Sequence, residues 1–261
     1  MFLILSVNES SKKNKISIIV CVKNGMPFLK DAVNSILKQR YKNLELIICY
    51  DASDDGTEKY LFSIKNKINI LFKQKKGGNR YTALNESIKK ASGNIIGILH
   101  ADDFFYKNNV LKIINNNFKK NKIDILYSDI VYVSKIKKKI VRYWKSSEFD
   151  KKKIYFGWAP PHTSIFLKKN IFNIIGDYKS KYEISSDYDF ILRLTHNSKF
   201  KFKYLSKILI GMRVGGDSNK FVNLLRKSYQ DIQILKKNNI KYSLVIVFLK
   251  IIRKIPQFFF R

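Results

Sequence analysis

The stretch ISIIVCVKNGMPFLKDAVNSILKQRYKNLELIICYDASDDGT, residues 16–57, decides the fold because it alternates two hydrophobic patterns. Its two ends, Ile16–Val22 and Leu44–Tyr50, are continuous apolar runs rich in β-branched residues, which is typical of strands buried on both faces. Phe28–Leu37, between them, repeats apolar residues with helical spacing. The pattern predicts a strand–helix–strand unit with a right-handed crossover, so the two strands run parallel.

The same alternation continues through the first half of the chain. Apolar runs at 69–73 and 95–100 predict two more strands, and helical patterns occupy 55–64, 81–91 and 110–118. We therefore predict an α/β fold with a Rossmann-like, mostly parallel sheet flanked by helices.

The second half has a different pattern. It predicts strands and one helix in a smaller mixed subregion; the strands are at 124–133, 139–144, 164–167, 202–205 and 208–214, and the helix is at 187–194. A helical pattern follows at 218–236. The expected division is a first half at 16–123 and a second half at 124–217 within one domain, 1–217, followed by a C-terminal helical region at 218–261.

Composition limits the partners. The chain has 261 residues, 45% of them apolar, and a net charge of +31, which would suit a polyanion or an anionic membrane. Lys greatly outnumbers Arg, however, whereas proteins that read bases use the planar fork of Arg. We read most of this charge as a solvated surface and expect no nucleic-acid partner.

The cysteines and the hydropathy of the sequence indicate the cellular compartment of the protein. Cys21 and Cys49 each lie inside an apolar run without a CxxC or His partner, so we interpret both as buried core thiols in a reducing compartment. The apolar run at 1–7 is too short for a signal peptide, and no run is long enough to span a bilayer. The expected location is the cytoplasm.

Acidic clusters follow two of the expected parallel strands. Residues 50–57 read YDASDDGT and residues 100–103 read HADD. Ligands of open α/β sheets bind at the carboxyl ends of strands, and carboxylates bind hard divalent cations. Asp55 is more readily explained as a helix cap, and Asp102 or Asp103 could cap the next helix. The chain contains neither a P-loop nor GxGxxG, which disfavours ATPases and dehydrogenases.

Several segments in order resemble one family. ISIIVCVKNG, LELIICYDASDDGT and YTALNESIKKASGNIIGILHADD resemble the family 2 glycosyltransferases with the GT-A fold. PPHTSIFLKKNIF, GDY, ISSDYDFILRL and MRVGGDS resemble the acceptor half of bacterial members that build surface polysaccharides. The resemblance covers residues 16 to about 218 and implies that 16–123 binds a nucleotide sugar while 124–217 binds the acceptor.

The resemblance also implies roles for the donor site. Asp51 matches the residue that bonds the nucleotide base, and Val22 and Asn24 match the wall of the base pocket. Asp102 and Asp103 match the metal signature, whose carboxylates hold Mg²⁺ or Mn²⁺ against the donor diphosphate. This sequence departs from the signature because His100 stands where an Asp is usual, which puts the choice of metal in question.

Other matched positions concern the acceptor and the phosphates. Asp187 matches the carboxylate that deprotonates the acceptor hydroxyl, although it could instead cap its helix, and Asp189 is the alternative base. His162 is either a substrate contact or an ordinary loop residue. Tyr81 and Asn85, one helical turn apart near the expected phosphates, are either donor contacts or structural residues.

The implied function is an inverting, metal-dependent transfer of sugar from a nucleotide-diphosphate sugar, UDP-linked in most of the family, to a hydroxyl of a lipid-linked or polysaccharide acceptor in cell-envelope synthesis. The tail 242–261, YSLVIVFLKIIRKIPQFFFR, mixes apolar, aromatic and basic residues and predicts peripheral binding to the inner face of the cytoplasmic membrane, or else packing on the domain or a partner. The alternative functions are a sugar nucleotidyltransferase and a non-catalytic membrane or polyanion binder.

Overall fold

The computed structural model describes residues 14–215 and 221–259, except for the side chains of 221–224. Within these residues, nine strands form one mixed sheet in the order β3-β2-β1-β4-β8-β6-β9-β5, with β7 paired to β6. The strands are β1 (Ile16–Val22), β2 (Leu44–Tyr50), β3 (Ile70–Lys73), β4 (Ile95–Ile98), β5 (Phe104–Phe105), β6 (Ile125–Val133), β7 (Ile140–Trp144), β8 (Phe166–Lys168) and β9 (Phe202–Arg213).

Strands β1 to β4 form the predicted parallel sheet, in which β1 lies between β2 and β4. Its continuation is mixed. Strand β8 inserts antiparallel between β4 and β6, and β9 runs parallel to β6 over the whole length of β6. The expected halves 16–123 and 124–217 therefore share one sheet, and residues 217 and 218, where the domain boundary was expected, lie outside the described residues.

Eight α-helices within the described residues cover the sheet: α1 (Phe28–Leu37), α2 (Thr57–Ser63), α3 (Arg80–Lys90), α4 (Val110–Lys120), α5 (Ile171–Ile175), α6 (Ser186–His196), α7 (Phe221–Lys237) and α8 (Ser243–Ile252). Alternate residues of a strand point to opposite faces, so Ile18 and Ile19 of β1 belong to two different cores. The core around Ile18 contains α1 and α4, and the core around Ile19 contains α3 and α6 to α8.

Several boundaries differ from the prediction, and three of the differences exceed a shift of one residue or change an element near the candidate site. Strand β4 ends at Ile98, so His100 lies in the following turn. The two strands expected at 202–205 and 208–214 are one strand, β9, because the pairing with β6 continues across register shifts near Asp129. Strand β8 begins at Phe166, since residues His162–Ser164 form a 3-10 turn.

The C-terminal helices pack on the domain. Ile234 of α7 and Ile246 and Val247 of α8 are buried in the same core as α6. This bears out the alternative of packing, but α8 is apolar on its outer side as well, where Leu244 and Phe248 are 68% and 61% exposed. No helix within the described residues is both long and apolar enough to cross a bilayer.

Candidate active site

The loops after β1 and β2 are bonded to one another at the carboxyl edge of the sheet. The side-chain carbonyl of Asn24 accepts from the amide of Asp54 at 3.1 Å, and the Asn24 amide donates to Ser53 Oγ at 3.0 Å. The Asn24 backbone has a positive φ of 49°, a conformation that Asn tolerates better than most residues. Asn24, a predicted wall of the base pocket, thus fixes the loop from which that wall is built.

Asp51 directly follows β2 and lies beside Val22. Its amide donates to the carbonyl of Val22 at 2.9 Å, so the two predicted base-pocket residues are adjacent. The Asp51 side chain is 34% exposed, with Oδ2 3.5 Å from the ammonium of Lys23. One carboxylate oxygen accepts from the amide of Ala52 at 2.8 Å, which leaves the exposed side of the group accessible to a ligand.

Asp55 bonds the first residue of the next helix, although the residue at the N-cap position is Gly56. Its Oδ1 accepts from the amide of Thr57 at 3.0 Å, at the start of α2, and its Oδ2 accepts from the amide of Met26 at 2.7 Å. Asp102 and Asp103 have no such role, because α4 begins at Val110, after strand β5. The capping alternative for these two residues is wrong.

His100, Asp102 and Asp103 come together after β4. One nitrogen of His100 and one oxygen from each carboxylate lie within 4.8 Å of one another. Asp103 is buried, and its Oδ2 has no hydrogen-bond partner among the described residues. A buried carboxylate oxygen without a partner is costly unless a cation meets it.

The protonation states suit a cation at this position. Burial raises the pKa of Asp103, and the neighbouring charge of Asp102 raises it further, whereas Arg213 opposes the shift. A cation bound between the two carboxylates would relieve their repulsion. Burial lowers the pKa of His100, although Asp102 opposes the shift, so the ring is neutral at pH 7 and can offer a lone pair. The three side chains fit one divalent ion.

Arg213, at the end of β9, holds the turn that bears these carboxylates. Its guanidinium donates to the Asp102 carbonyl at 2.6 Å, and its amide donates to Asp103 Oδ1 at 3.3 Å. A further guanidinium nitrogen bonds Asp31 of α1, and the group lies between the rings of Phe28 and Phe104. Buried Arg213 therefore fixes the geometry of the candidate metal site.

Asp187 lies in the first turn of α6, and its Oδ1 accepts from the amide of Tyr188 at 2.8 Å. Burial would raise its pKa, but the positive charges of Lys227, His162, Arg80 and Lys250 together lower the pKa to about 2. The carboxylate is therefore ionised at neutral pH. It is also near enough to His100 and His162 to act on the pKa of both rings.

Tyr81 holds the chain that leads into α6. Its hydroxyl donates to the carbonyl of Ile184 at 3.0 Å, and Arg80 donates to that carbonyl at 2.9 Å and to the Tyr81 hydroxyl at 2.8 Å. Tyr81 is buried, with 3% exposure. These contacts favour the structural interpretation of Tyr81, in which it holds the segment that leads to Asp187. Arg80, beside it, is exposed.

Asn85 and His162 both contact Tyr178. The two ends of the Asn85 amide bond the backbone of Tyr178 at 2.8 and 3.0 Å, and these contacts favour a structural role for this side chain. His162 Nε2 lies 2.9 Å from the Tyr178 hydroxyl, and its ring centroid is 6.3 Å from that of His100. His162 therefore contacts Tyr178 and lies close to His100 of the candidate metal site.

Asp189 points into an ion-pair network. It is fully buried, with Oδ2 2.8 Å from Arg193 Nε and Oδ1 3.5 Å from Lys179 Nζ. Arg193 in turn donates to the carbonyls of Ile175 and Asp177. These contacts make Asp189 an anchor of α6 and leave Asp187 as the carboxylate that faces the cleft cations.

The sequence reasoning missed Arg80, Arg213 and Lys227. Arg213 lies within the MRVGGDS segment, where an Arg inside an apolar strand was a usable signal. Arg80 is adjacent to Tyr81 and follows the turn at Gly77–Gly78, which was a weaker signal. Lys227 lies in α7, and nothing in its local sequence indicates that it faces Asp187.

The chain is similar to known glycosyltransferases in sequence. It is 28% identical over 224 residues to an uncharacterized glycosyltransferase of Rickettsia prowazekii, which covers 83% of this chain and 70% of that protein. It is 26% identical over 210 residues to the chondroitin synthase of Pasteurella multocida, which covers 80% of this chain but 22% of that enzyme.

Solved structures share the fold. TarS of S. aureus (residues 1–349) in complex with UDP-GlcNAc superimposes with a TM-score of 0.69 at 18% identity, over 85% of this chain and 66% of that one. A mannosyltransferase of Pyrobaculum calidifontis in complex with GDP-Man and Mn²⁺ gives a TM-score of 0.59 at 14% identity, over 92% and 70% of the two chains. Both likenesses confirm the predicted GT-A fold.

A family profile covers the sheet and the candidate metal turn. The model of glycosyl transferase family 2 matches residues 17–181, which is more than half of the chain and includes β1 to β4 and β8. The acidic turn after β4 and the pocket around Asp51 both fall inside the match. The chain therefore belongs to glycosyl transferase family 2.

Proposed function

We propose that this glycosyltransferase uses a divalent metal and inverts the anomeric configuration as it moves a sugar from a nucleotide-diphosphate donor to an acceptor hydroxyl. The observation that carries the proposal is that the ionised carboxylate of Asp187 lies near enough to the His100–Asp102–Asp103 cluster to act on the pKa of His100. The cluster can bind the leaving diphosphate through a metal, and Asp187 can accept a proton.

The donor would lie along the carboxyl edge of β1, β2 and β4. Asp51 would accept a hydrogen bond from the base, between Val22 and the loop fixed by Asn24. The N–H of uracil is a donor that a carboxylate can accept from, as are the N–H groups of guanine, and we favour a UDP-linked donor because the family resemblance implies one. The TarS structure contains UDP-GlcNAc and the mannosyltransferase structure contains GDP-Man, so both nucleotides belong in the test.

The metal would bind to His100, Asp102 and Asp103, and it would neutralise charge that develops on the diphosphate as the sugar leaves. The buried, unpaired Oδ2 of Asp103 supports this assignment. Mg²⁺ prefers oxygen ligands, whereas the imidazole of His100 makes the set a mixed nitrogen and oxygen site. We therefore favour Mn²⁺ over Mg²⁺.

Asp187 would act as the general base. Its carboxylate takes the proton of the acceptor hydroxyl as that oxygen attacks the anomeric carbon on the face opposite the diphosphate. A single displacement of this kind inverts the configuration. Arg80 and Lys227 are the nearby cations that could meet negative charge on either substrate.

The acceptor would be a lipid-linked or polymeric glycan at the inner face of the cytoplasmic membrane. Helix α8 supports this location, because it buries Ile246 and Val247 while exposing Leu244, Val245 and Phe248. The neighbouring 3-10 turn Lys151–Phe156 adds three lysines and two exposed aromatic side chains. Basic residues around an apolar surface favour an anionic bilayer.

The test is release of nucleotide from UDP-, GDP- and dTDP-sugars by the purified protein with Mn²⁺ or Mg²⁺. We expect slow release from one donor that stops in EDTA. Release that continues unchanged in EDTA would remove the metal from the proposal, and failure to bind any nucleotide would remove the transferase.

A further inference from the structure

Beside Asp187, the two C-terminal helices bring together four cations, which we call the basic cluster: Arg142, Lys227, Lys250 and Lys254. Lys227 lies on α7 one turn before Asp231, Lys250 lies in the last turn of α8, and Lys254 lies in the turn that follows α8. Arg142 comes from β7, which packs against the turn Pro256–Phe258.

Contacts fix the side chains of Lys250 and Arg142 and the backbone of Lys227. Lys250 Nζ lies 2.8 Å from Asp231 Oδ2 and 3.3 Å from the centroid of the Tyr188 ring, one residue beyond Asp187. Its side chain is 17% exposed. Arg142 lies 4.4 Å above the ring of Tyr132 and donates to Gln257 Oε1 at 2.8 Å. Lys227 is held by α7, whose backbone at that residue accepts from Ser185 Oγ at 3.4 Å.

The cluster lacks enough negative charge. Asp231 and Asp187 are the carboxylates of the described residues that act on it, and neither Lys227 nor Lys254 has a carboxylate within 4 Å in that part of the chain. Four cations and two carboxylates leave about two positive charges uncompensated in a half-buried space. Crowding of this kind lowers the pKa of Lys254 to about 8, first through burial and then through Lys227 and Lys250.

The cluster lies away from the strands of the expected base pocket. Arg142 lies on β7, which pairs with β6, and strands β4 and β8 lie between β6 and strand β1. Asp187 is near enough to Lys227 and Lys250 for both cations to lower its pKa, so it lies beside the cluster. A group bound by the cluster would belong to the molecule whose hydroxyl Asp187 deprotonates.

We propose that the basic cluster binds a phosphate group of the acceptor, so that this enzyme glycosylates a phosphate-bearing acceptor. The proposal rests on the transferase function proposed above and adds the acceptor class. A phosphate monoester carries about −1.5 to −2 charges at pH 7, which matches the excess of the cluster better than the single charge of a carboxylate. The phosphate could be borne by a lipid carrier or by a soluble polymer.

The test measures binding of glycerol 3-phosphate to the full chain by calorimetry, in EDTA and again with saturating UDP and Mn²⁺. We expect binding in both, and about tenfold weaker binding in both Lys254→Gln and Lys227→Gln, each of which removes one charge-assisted bond. The matched control is Lys236→Gln, which removes one exposed charge from the same helix α7 and should change nothing.

Three results would overturn the proposal: no binding of glycerol 3-phosphate by a protein that binds UDP, competitive displacement of it by UDP with Mn²⁺, or equal affinity for glucuronate. The first would leave the transferase function standing, and the second would make the cluster part of the donor site. Absence of UDP binding would instead contradict the transferase function. Dihexanoyl phosphatidic acid distinguishes a phosphate on a lipid carrier from a phosphate on a soluble polymer. Binding that is tenfold tighter than that of glycerol 3-phosphate indicates a lipid carrier, and equal binding indicates a soluble polymer. Either result supports the site.

Discussion

The guanidinium of Arg213 donates to the backbone carbonyl of Asp102 at 2.6 Å, across 111 residues of sequence. Through this bond the end of β9 holds the turn that follows β4, while the Arg213 amide bonds Asp103. The candidate metal ligands are thus supported from the half of the chain that was expected to bind the acceptor.

We predict that Arg213→Lys weakens Mn²⁺ binding by about 10- to 100-fold, the usual effect of losing a residue that orients metal ligands. Lys keeps the charge but cannot bond Asp31 and the Asp102 carbonyl together in a planar fork. Titration of Mn²⁺ by electron paramagnetic resonance measures the affinity. The control is Lys138→Gln, which removes the other cation that pairs with Asp31, at 3.0 Å; equal losses in both variants would contradict the role of Arg213.

His100 should decide the choice of metal. In His100→Asp the ligand set becomes all oxygen, which suits Mg²⁺. We expect the ratio of activity with Mn²⁺ to activity with Mg²⁺ to fall by about tenfold, measured as nucleotide release at saturating metal. An unchanged ratio would place His100 outside the metal site.

Lys227 should control the charge of Asp187. It is the largest of the cationic influences that hold the Asp187 pKa at about 2, below the value of about 3.9 for an unfolded Asp. Because the folded pKa is depressed, the ionised group stabilises the fold above pH of about 4, and this contribution is lost as the pH falls toward 2.

We predict that Lys227→Gln raises the pKa of Asp187, as followed by the ¹³C shift of its carboxyl carbon. Lys236→Gln, which removes an exposed charge elsewhere on α7, should leave the pKa unchanged. A pKa that stays the same in Lys227→Gln would show that the two groups do not interact. The same coupling implies that phosphate binding at Lys227 makes Asp187 a stronger base.

The outer face of α8 should bind membranes. We expect the double variant Phe248→Gln with Ile252→Gln to bind anionic liposomes at least tenfold more weakly in sedimentation assays, because both side chains are exposed and their apolar area would be lost from the interface. The control is Ile136→Gln, which removes an 88% exposed side chain from the connection between β6 and β7. Undiminished binding by the double variant would favour a protein partner for this face.

The parallel half of the fold was predictable because its strands are local, continuous apolar runs. Strands β1 and β2 match their predicted bounds, whereas the predicted break within β9 was wrong because the pairing with β6 bridges it. The predicted strand 95–100 extends two residues beyond the end of β4 and wrongly includes His100, since an apolar run does not mark where hydrogen bonding ends.

The site was predictable only where a motif carries it. Asp51 and Asp102 were identified as candidates because acidic clusters directly follow the strands predicted as β2 and β4. The roles of Tyr81 and Asn85 depend on contacts with Ile184 and Tyr178, about 100 residues away, so sequence spacing could not separate ligand from support. Lys227 reaches Asp187 only through the packing of α7 on α6, a tertiary relationship with no local signature.

The most direct test of the central claim compares Asp187→Asn with the wild-type protein on the donor that the nucleotide screen identifies. The assay measures donor Kd by calorimetry with Mn²⁺, and it measures turnover with a phosphate-bearing acceptor. We predict a nearly unchanged donor Kd and a fall in turnover of about 10²-fold or more, the usual contribution of a general base. Full turnover in Asp187→Asn would contradict the account.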